Sequence, residues 1–254
     1  MTDLNVIKEV AEQALSIPAL KGTPDRYLID RAYRVLRHCG SIARLQEVQR
    51  FQFDQECLNI AALFRDAGFA LYAAKDDQAA RIVLADLTDE DLRDFACQVV
   101  HEKLQGLLNP RQIERVCSII IESSRRDTHL IEAMILSDAR NLDDMGAVGV
   151  FNELRRYLVH GKGVTQAIES WKRKIEYDYW SARLRESFRF DAVRTLASKR
   201  LRFAEMFMAH LDAENRAGDL EDMLLEGQLG PQMSAETIEA VESPAHRVRK
   251  HVSV

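Results

Sequence analysis

The stretch Ile60-Ala61-Ala62-Leu63-Phe64-Arg65-Asp66-Ala67-Gly68 decides the fold of this chain. It begins as an almost unbroken apolar run and ends in an adjacent cation and carboxylate, followed by a glycine. Apolar residues without polar interruption predict a helix that is buried on all sides. Because unpaired buried charge is costly, a buried helix that ends in Arg65 and Asp66 indicates a functional site at that end.

The composition is that of an ordinary soluble protein, with 46% hydrophobic and 30% charged residues. The formal net charge of -5 argues against bulk electrostatic binding of nucleic acid. No apolar run approaches the ~18 residues of a membrane span, and no basic segment precedes an apolar one at the N-terminus. The four cysteines form no C-x-x-C pair, which favours reduced, buried thiols. We therefore expect a cytoplasmic protein without membrane contact.

Helical periodicity runs through nearly the whole sequence, which has only 11 Gly and 5 Pro, so we predict an all-α fold. Residues 1–22 are expected to form an N-terminal helix packed on the domain, 23–215 the helical domain, and 216–254 a mobile tail. Thr23 and Pro24 are a good N-cap and first position for the second helix. Asp54 can cap the third helix, and Gly68 can close it.

A second apolar stretch that ends in charge lies further along the chain, at Ile135-Leu136-Ser137-Asp138-Ala139-Arg140-Asn141-Leu142-Asp143, and Gly146-Ala147-Val148-Gly149 follows it. Upstream, an amphipathic segment reads Asp30-Arg31-Ala32-Tyr33-Arg34-Val35. The long, charged and periodic segment from Thr165 to Glu214 supplies further helices. We expect the carboxylates at the end of the distal block, Asp143 and Asp144, to be solvated.

These three segments together resemble the HD superfamily of metal-dependent phosphohydrolases, over roughly residues 27–214. In that superfamily a His on one helix, a His-Asp doublet at the end of an apolar helix and a distal Asp bind a divalent ion. In the doublet frame Asp66 matches the Asp, and Arg65 replaces the His. In the distal block Asp138 matches the ligand, and Arg140 replaces a second Asp. The first His precedes an x-x-Arg-Val step, which places Asp30 at its position.

The resemblance implies an HD-domain-like helical bundle whose metal-binding histidines are missing. If a metal is bound, Asp30, Asp66 and Asp138 would hold it, and Asp66 would help to activate a metal-bound water. Arginine cannot replace histidine here, because it is always protonated, has no lone pair to offer and repels a cation.

Two outcomes follow for this site. In the first, Arg65 pairs with the aspartates, the pocket holds no cofactor, and Arg31, Arg34 and Arg140 add positive charge. In the second, Arg65 swings aside and three carboxylates hold Mg²⁺ or Mn²⁺. The first is favoured because it requires no unusual arginine rotamer.

The leading function is therefore an inactive or weakly active relative of the phosphohydrolases, a pseudoenzyme that keeps an anionic-ligand pocket for regulation. Arg65, Arg34 and Arg140 would bind that ligand, a phosphorylated small molecule or a nucleotide. One alternative is an active metal-dependent phosphohydrolase on a nucleotide or small phosphoester. Another is a helical protein-interaction scaffold, in which the segment from Thr165 packs on a partner or on a second copy as a homo-oligomer.

Overall fold

A computed structural model describes residues 3–18, 24–75 and 89–229 of the chain. It divides into two compact units, Met1–Met208 and Ala209–Val254. The described residues form one antiparallel pair of two-residue strands and thirteen helices. The strands are β1 (Ile17–Pro18) and β2 (Pro24–Asp25), and the helices are α1 (Leu4–Leu15), α2 (Tyr27–Ile42), α3 (Gln46–Gln49), α4 (Gln55–Phe64), α5 (Ala67–Lys75), α6 (Asp89–Leu104), α7 (Pro110–Glu122), α8 (Ile131–Asp143), α9 (Gly146–Val159), α10 (Val164–Glu176), α11 (Tyr179–Glu186), α12 (Asp191–Asn215) and α13 (Gly218–Leu229). The predicted all-α class is confirmed.

Helix α4 lies at the centre of the first unit. After its first residue, every residue of α4 except Glu56 and Asn59 is buried. This is the burial on all sides of the helix that the apolar run predicts. Helices α1, α2, α7 and α8 pack directly against it, and α2 also packs on α8. Helix α1 contributes Ile7, Ala11 and Leu15 to the same core. The end of α4 is therefore enclosed by several helices.

Capping side chains fix the start of the central helices. The Asp54 carboxylate accepts a hydrogen bond from the backbone N–H of Cys57 at 2.9 Å, as the sequence predicts. The buried carboxylate of Glu132 in turn accepts from the Asp54 backbone N–H at 2.7 Å. At the start of α7, Asn109 and Gln112 cap each other's backbone N–H groups. Helix α4 is thus anchored at its first turn to α8.

Two predicted helix boundaries are wrong. Helix α2 begins at Tyr27, because Pro24 pairs with β1 as part of β2, and Thr23 lies outside the described residues. Helix α4 ends at Phe64 rather than at Gly68, which lies inside α5. A Cβ atom added to Gly68 would lie 2.0 Å from the Leu92 carbonyl oxygen. Gly68 is therefore needed for the close packing of α5 on α6, and it plays no part in ending α4.

The segment from Thr165 to Glu214 forms parts of three helices, α10, α11 and α12, as the prediction of further helices requires. Asp178, between α10 and α11, has a left-handed backbone with φ of 52°, which ends the first of them. Residues 187–190 separate α11 from α12. Both breaks lie within the first unit.

The second unit contains the end of α12 and helix α13 among its described residues. Arg216 and Asp212 form an ion pair of 3.1 Å there, and Ala217 takes a positive φ of 55° just before α13 begins. The predicted mobile tail from residue 216 is therefore helical through Leu229, and its remainder lies outside the described residues. Among the parts of the chain that the structure describes, no helix has both the length and the apolar character needed to cross a membrane.

The packing of α5 on α6 predicts opposite effects for two glycine substitutions. Gly68→Ala places a methyl group against the Leu92 carbonyl oxygen, so we expect the free energy of unfolding to fall by about 1–3 kcal/mol or more. Gly40→Ala, in α2, is the matched control because nothing lies within 4 Å of its added Cβ atom. It should leave stability unchanged or raise it by up to about 1 kcal/mol. Urea unfolding measures both, and equal effects would contradict the close α5–α6 packing.

Candidate functional site

The central helix delivers two charged side chains into the interior. Helix α4 ends at Phe64, and the Arg65 backbone N–H closes the last turn by donating to the Ala61 carbonyl oxygen at 2.9 Å. Arg65 and Asp66 then connect α4 to α5, and they are only 1% and 4% exposed. Because the surrounding helices exclude water there, the two charges need compensation from protein groups.

Three guanidinium groups converge on the Asp66 carboxylate. Arg140 Nη2 donates to Oδ1 at 3.1 Å, and Arg31 Nε lies 3.2 Å from Oδ2. Arg65 Nη1 lies 3.9 Å from Oδ1, and its Nε donates to the Ser123 hydroxyl at 3.4 Å. Burial alone would raise the pKa of Asp66, but Arg140, Arg31 and Arg65 outweigh it and lower this pKa to about 2. Asp66 is therefore held as a carboxylate.

The two aspartates that end α8 extend this arrangement. Arg34 binds the fully buried Asp143 through both carboxylate oxygens, with Nε at 2.7 Å and Nη2 at 3.2 Å. Asp144 accepts from Arg31 Nη2 at 3.1 Å and from Arg183 Nη2 at 2.8 Å. Burial by itself would raise the pKa of Asp144, but the positive charges of Arg31 and Arg183 have a larger, opposite effect. The pKa of Asp144 is therefore lowered from its usual value. The expectation of solvation is wrong for Asp143, whereas Asp144 binds two arginines and keeps a side chain that is 32% exposed.

These residues form one continuous network, which we call the arginine–aspartate cluster. Its members come from α2, the α4–α5 connection, the end of α8 and α11. They are Arg31, Arg34, Arg65, Arg140, Arg183, Asp66, Asp143 and Asp144. Of the residues selected from the sequence, Arg31, Arg34, Arg65, Asp66 and Arg140 belong to it.

Asp30 does not belong to the cluster. Its side chain is 55% exposed and forms an ion pair of 3.5 Å with Arg26, one helical turn earlier. The next residue, Arg31, points inward instead, because successive residues of a helix are rotated by about 100°. Arg31 is also the residue that directly precedes the Ala32-Tyr33-Arg34-Val35 step. The predicted position of the missing histidine was therefore wrong by one residue.

Asp138 has a structural role that differs from the predicted one. Its two carboxylate oxygens accept the backbone N–H groups of Arg189 and Phe190, at 2.8 Å and 3.0 Å, just before α12 begins. Two residues along α8, Arg140 points to Asp66 instead. Burial raises the pKa of Asp138 to about 7, although the two amide hydrogen bonds oppose this shift.

The donor groups at this site do not fit a divalent cation. The carboxylates predicted as ligands do not converge: Asp30 is at the surface, Asp138 binds backbone amides, and Asp66 is surrounded by arginine. Within residues 3–18, 24–75 and 89–229, no three His, Cys, Asp or Glu side chains are grouped so as to hold a metal ion. The guanidinium groups cannot ligate a cation and would repel one.

Sequence reasoning proposed Arg31 as a source of positive charge but missed Arg183 as a member of the cluster. The position of Arg31 before the Arg-Val step was a usable signal. Arg183 gave none, because it lies on α11 and reaches Asp144 only through the fold.

Three solved structures share the architecture that positions this cluster. Bacillus subtilis YpgQ is 22% identical, with a TM-score of 0.55, over 84% of this chain and 97% of that one. YpgQ in complex with ADP gives 21% identity and a TM-score of 0.52 over 82% and 97%. A predicted HD superfamily hydrolase from an uncultured Thermotogales bacterium gives 20% identity and 0.50 over 84% and 93%.

The chain has an HD-like fold. The fold that the doublet and the distal block imply is thereby confirmed. No protein-family model and no curated protein matches the sequence. At such low identities the likeness concerns the fold alone, and the chemistry of this HD-like protein rests on its own residues.

Removing the central carboxylate should destabilise the protein strongly. Asp66→Asn leaves Arg140 without its charged partner and leaves Arg31 only its contacts with Asp143 and Asp144, so we expect the free energy of unfolding to fall by about 3–5 kcal/mol. Asp30→Asn is the matched control, because its exposed pair with Arg26 contributes at most about 1 kcal/mol. Similar losses in the two variants, measured by urea unfolding, would contradict the central role of Asp66.

The pH dependence of the same two variants gives a second measurement. The pKa of Asp66 is lowered from 3.8 to about 2 in the folded protein. Its stabilising contribution is therefore present above about pH 4 and is lost as the pH falls towards 2. Asp66→Asn should lack this loss, whereas Asp30→Asn should retain it.

Asp138 should give the opposite pH dependence. Its pKa is raised from 3.8 to about 7, so the folded state binds an extra proton between these values. Stability should therefore fall as the pH rises from about 4 to 7, by a few kcal/mol relative to Asp138→Asn. The slope is the measured quantity, because asparagine also loses one of the two amide contacts. Carbon NMR of the carboxyl group checks the assignment, and a midpoint near 4 would contradict it.

Proposed function

We propose that this HD-like protein lacks metal-dependent phosphohydrolase activity and uses the arginine–aspartate cluster to bind an anionic, phosphorylated ligand as a regulator. The observation that carries the proposal is the convergence of Arg31, Arg65 and Arg140 on Asp66. A metal-activated water needs lone-pair donors around the ion, and guanidinium groups occupy that space here. A cytoplasmic location is part of the proposal.

The charge balance of the cluster favours an anion. Even without Arg65, four arginines face three aspartates. Arg34 is fully engaged by the bidentate contact with Asp143, and Arg183 is held by Asp144. The positive charge left over therefore lies near Asp66 rather than at the periphery.

Arg140 is the arginine best placed to meet a ligand. Its side chain is 20% exposed, so solvent reaches it, whereas Arg65 is only 1% exposed. Its Nη2 donates to Asp66, while its buried Nε donates no hydrogen bond to any described residue. A phosphate could accept from this guanidinium, since the charges are opposite and the fork of N–H donors matches two phosphate oxygens.

A nucleoside diphosphate is the first ligand to test, because YpgQ crystallised in complex with ADP. We expect ADP to raise the melting temperature by about 5 °C or more at saturation, and adenosine, which has no phosphate, to leave it unchanged. Arg140→Gln should weaken ADP binding about tenfold or more, because it removes a charged donor. Arg185→Gln is the matched control, since Arg185 is 63% exposed and pairs with Asp178. Equal binding by both variants would contradict the site.

Metal content and turnover test the other half of the proposal. Protein purified without a chelator should contain no stoichiometric Mg²⁺ or Mn²⁺ and should not hydrolyse ADP or a small phosphoester. Stoichiometric metal, together with turnover that Asp66→Asn abolishes, would overturn the proposal in favour of an active phosphohydrolase.

A further inference from the structure

Two cysteines face each other across the contact between α6 and α7. Cys97 Sγ lies 3.8 Å from the Cys117 carbonyl oxygen, and Cys117 Sγ lies 3.9 Å from the Cys97 carbonyl oxygen. These contacts are reciprocal, so each sulfur sits beside the other residue's backbone. To form a disulfide, each sulfur would turn away from the carbonyl oxygen that it now faces and towards the other sulfur.

The other two cysteines differ from this pair. All four are free thiols, but Cys39 and Cys57 are fully buried in the core. Cys97 and Cys117 retain 9% and 5% exposure, so they lie nearer to solvent than the two core cysteines. Burial raises the pKa of Cys39 and that of Cys57, which disfavours their reactive thiolates.

The surroundings of the pair distinguish a nucleophile from its partner. The hydrogen bond from Cys117 lowers the pKa of Cys97, and burial opposes this shift. Among nearby charges, Asp94 raises the pKa of Cys97, whereas Arg65 and Arg93 lower it. The pKa of Cys117 is raised by the same hydrogen bond and by burial. Because the thiolate is the reactive form, Cys97 is the thiol that an oxidant meets first.

We propose that Cys97 and Cys117 form a reversible disulfide site whose oxidant is a peroxide. The Cys97 thiolate attacks one oxygen of hydrogen peroxide, the O–O bond breaks, and a sulfenic acid and hydroxide result. Cys117 then attacks the sulfenic sulfur, forms the S–S bond and releases the sulfenic oxygen as water. In total, two thiols and one hydrogen peroxide molecule give one disulfide and two water molecules, which carry the two thiol protons. Two thiols are oxidised by two electrons, and the peroxide is reduced.

The disulfide would lie next to the candidate site. Arg65 acts electrostatically on Cys97 and also donates to Ser123 at the end of α7, so it bridges the helix that carries Cys117 and the cluster. Oxidation removes the thiolate that Arg65 stabilises and fixes α6 to α7 by a covalent bond. The disulfide proposal does not depend on the ligand of the cluster.

Thiol counting and peptide mapping on the full-length protein test the proposal. Reduced protein is treated with a small excess of hydrogen peroxide, unfolded, and alkylated. We expect the number of free thiols to fall from four to two and to return to four after dithiothreitol. Trypsin cuts after Lys103 and after Arg115, so the two cysteines fall in peptides 94–103 and 116–125. These peptides should appear linked, with a mass two hydrogens below their sum.

Variants make the assignment specific. Cys97→Ser should abolish the linked peptide, whereas Cys57→Ser, the matched control, should retain it. If either variant fails to fold, the wild-type peptide map still decides. Four free thiols after treatment, a linkage that includes Cys39 or Cys57, or Cys97 oxidised to sulfinic acid with no linked peptide would each overturn the proposal.

Discussion

The ion pairing of Asp66 is the constraint on which the rest of the structure depends. The apolar run of α4 carries the chain into the core, and the chain must then turn at a cation and a carboxylate that water cannot reach. Their charges are compensated only by groups that other helices bring to the same place. Arg31 comes from α2 and Arg140 from α8, so the Asp66 contacts tie together the helices that pack around α4.

The same requirement spreads outward through shared partners. Arg31 touches Asp66 and Asp144, and Asp144 in turn holds Arg183 of α11. Asp143 is fully buried, and its bidentate contact with Arg34 is a second ion pair that joins α8 to α2. Ion pairs of this kind define one arrangement of the helices, because any other arrangement would leave a charge buried without a partner.

The sequence was sufficient for the fold, and for part of the site, because local patterns encode both. The apolar run before Arg65 predicts a buried helix, Asp54 and Asn109 mark helix starts, and the charges that end two apolar stretches mark the site. Arg183 and Asp144 could not be identified, since their pairing joins residues that only the tertiary fold brings together. Asp30 was misplaced because a single step along a helix moves a side chain from the core to the surface.

The proposed loss of metal chemistry follows from electrostatics as much as from missing ligands. In the HD superfamily, which the sequence resembles, two imidazoles and two carboxylates hold a divalent ion. Such a site is electrically neutral only when the ion is bound. In this chain guanidinium groups supply the positive charge permanently, and they are covalently part of the fold. A cation entering the cluster would have to displace Arg140 from Asp66 and leave it without a carboxylate partner among the described residues. An anion faces no such cost, because it adds acceptors where Arg140 Nε has none among the described residues. Under the proposed function, the exchange of imidazole for guanidinium therefore reverses the sign of the ligand that the pocket accepts.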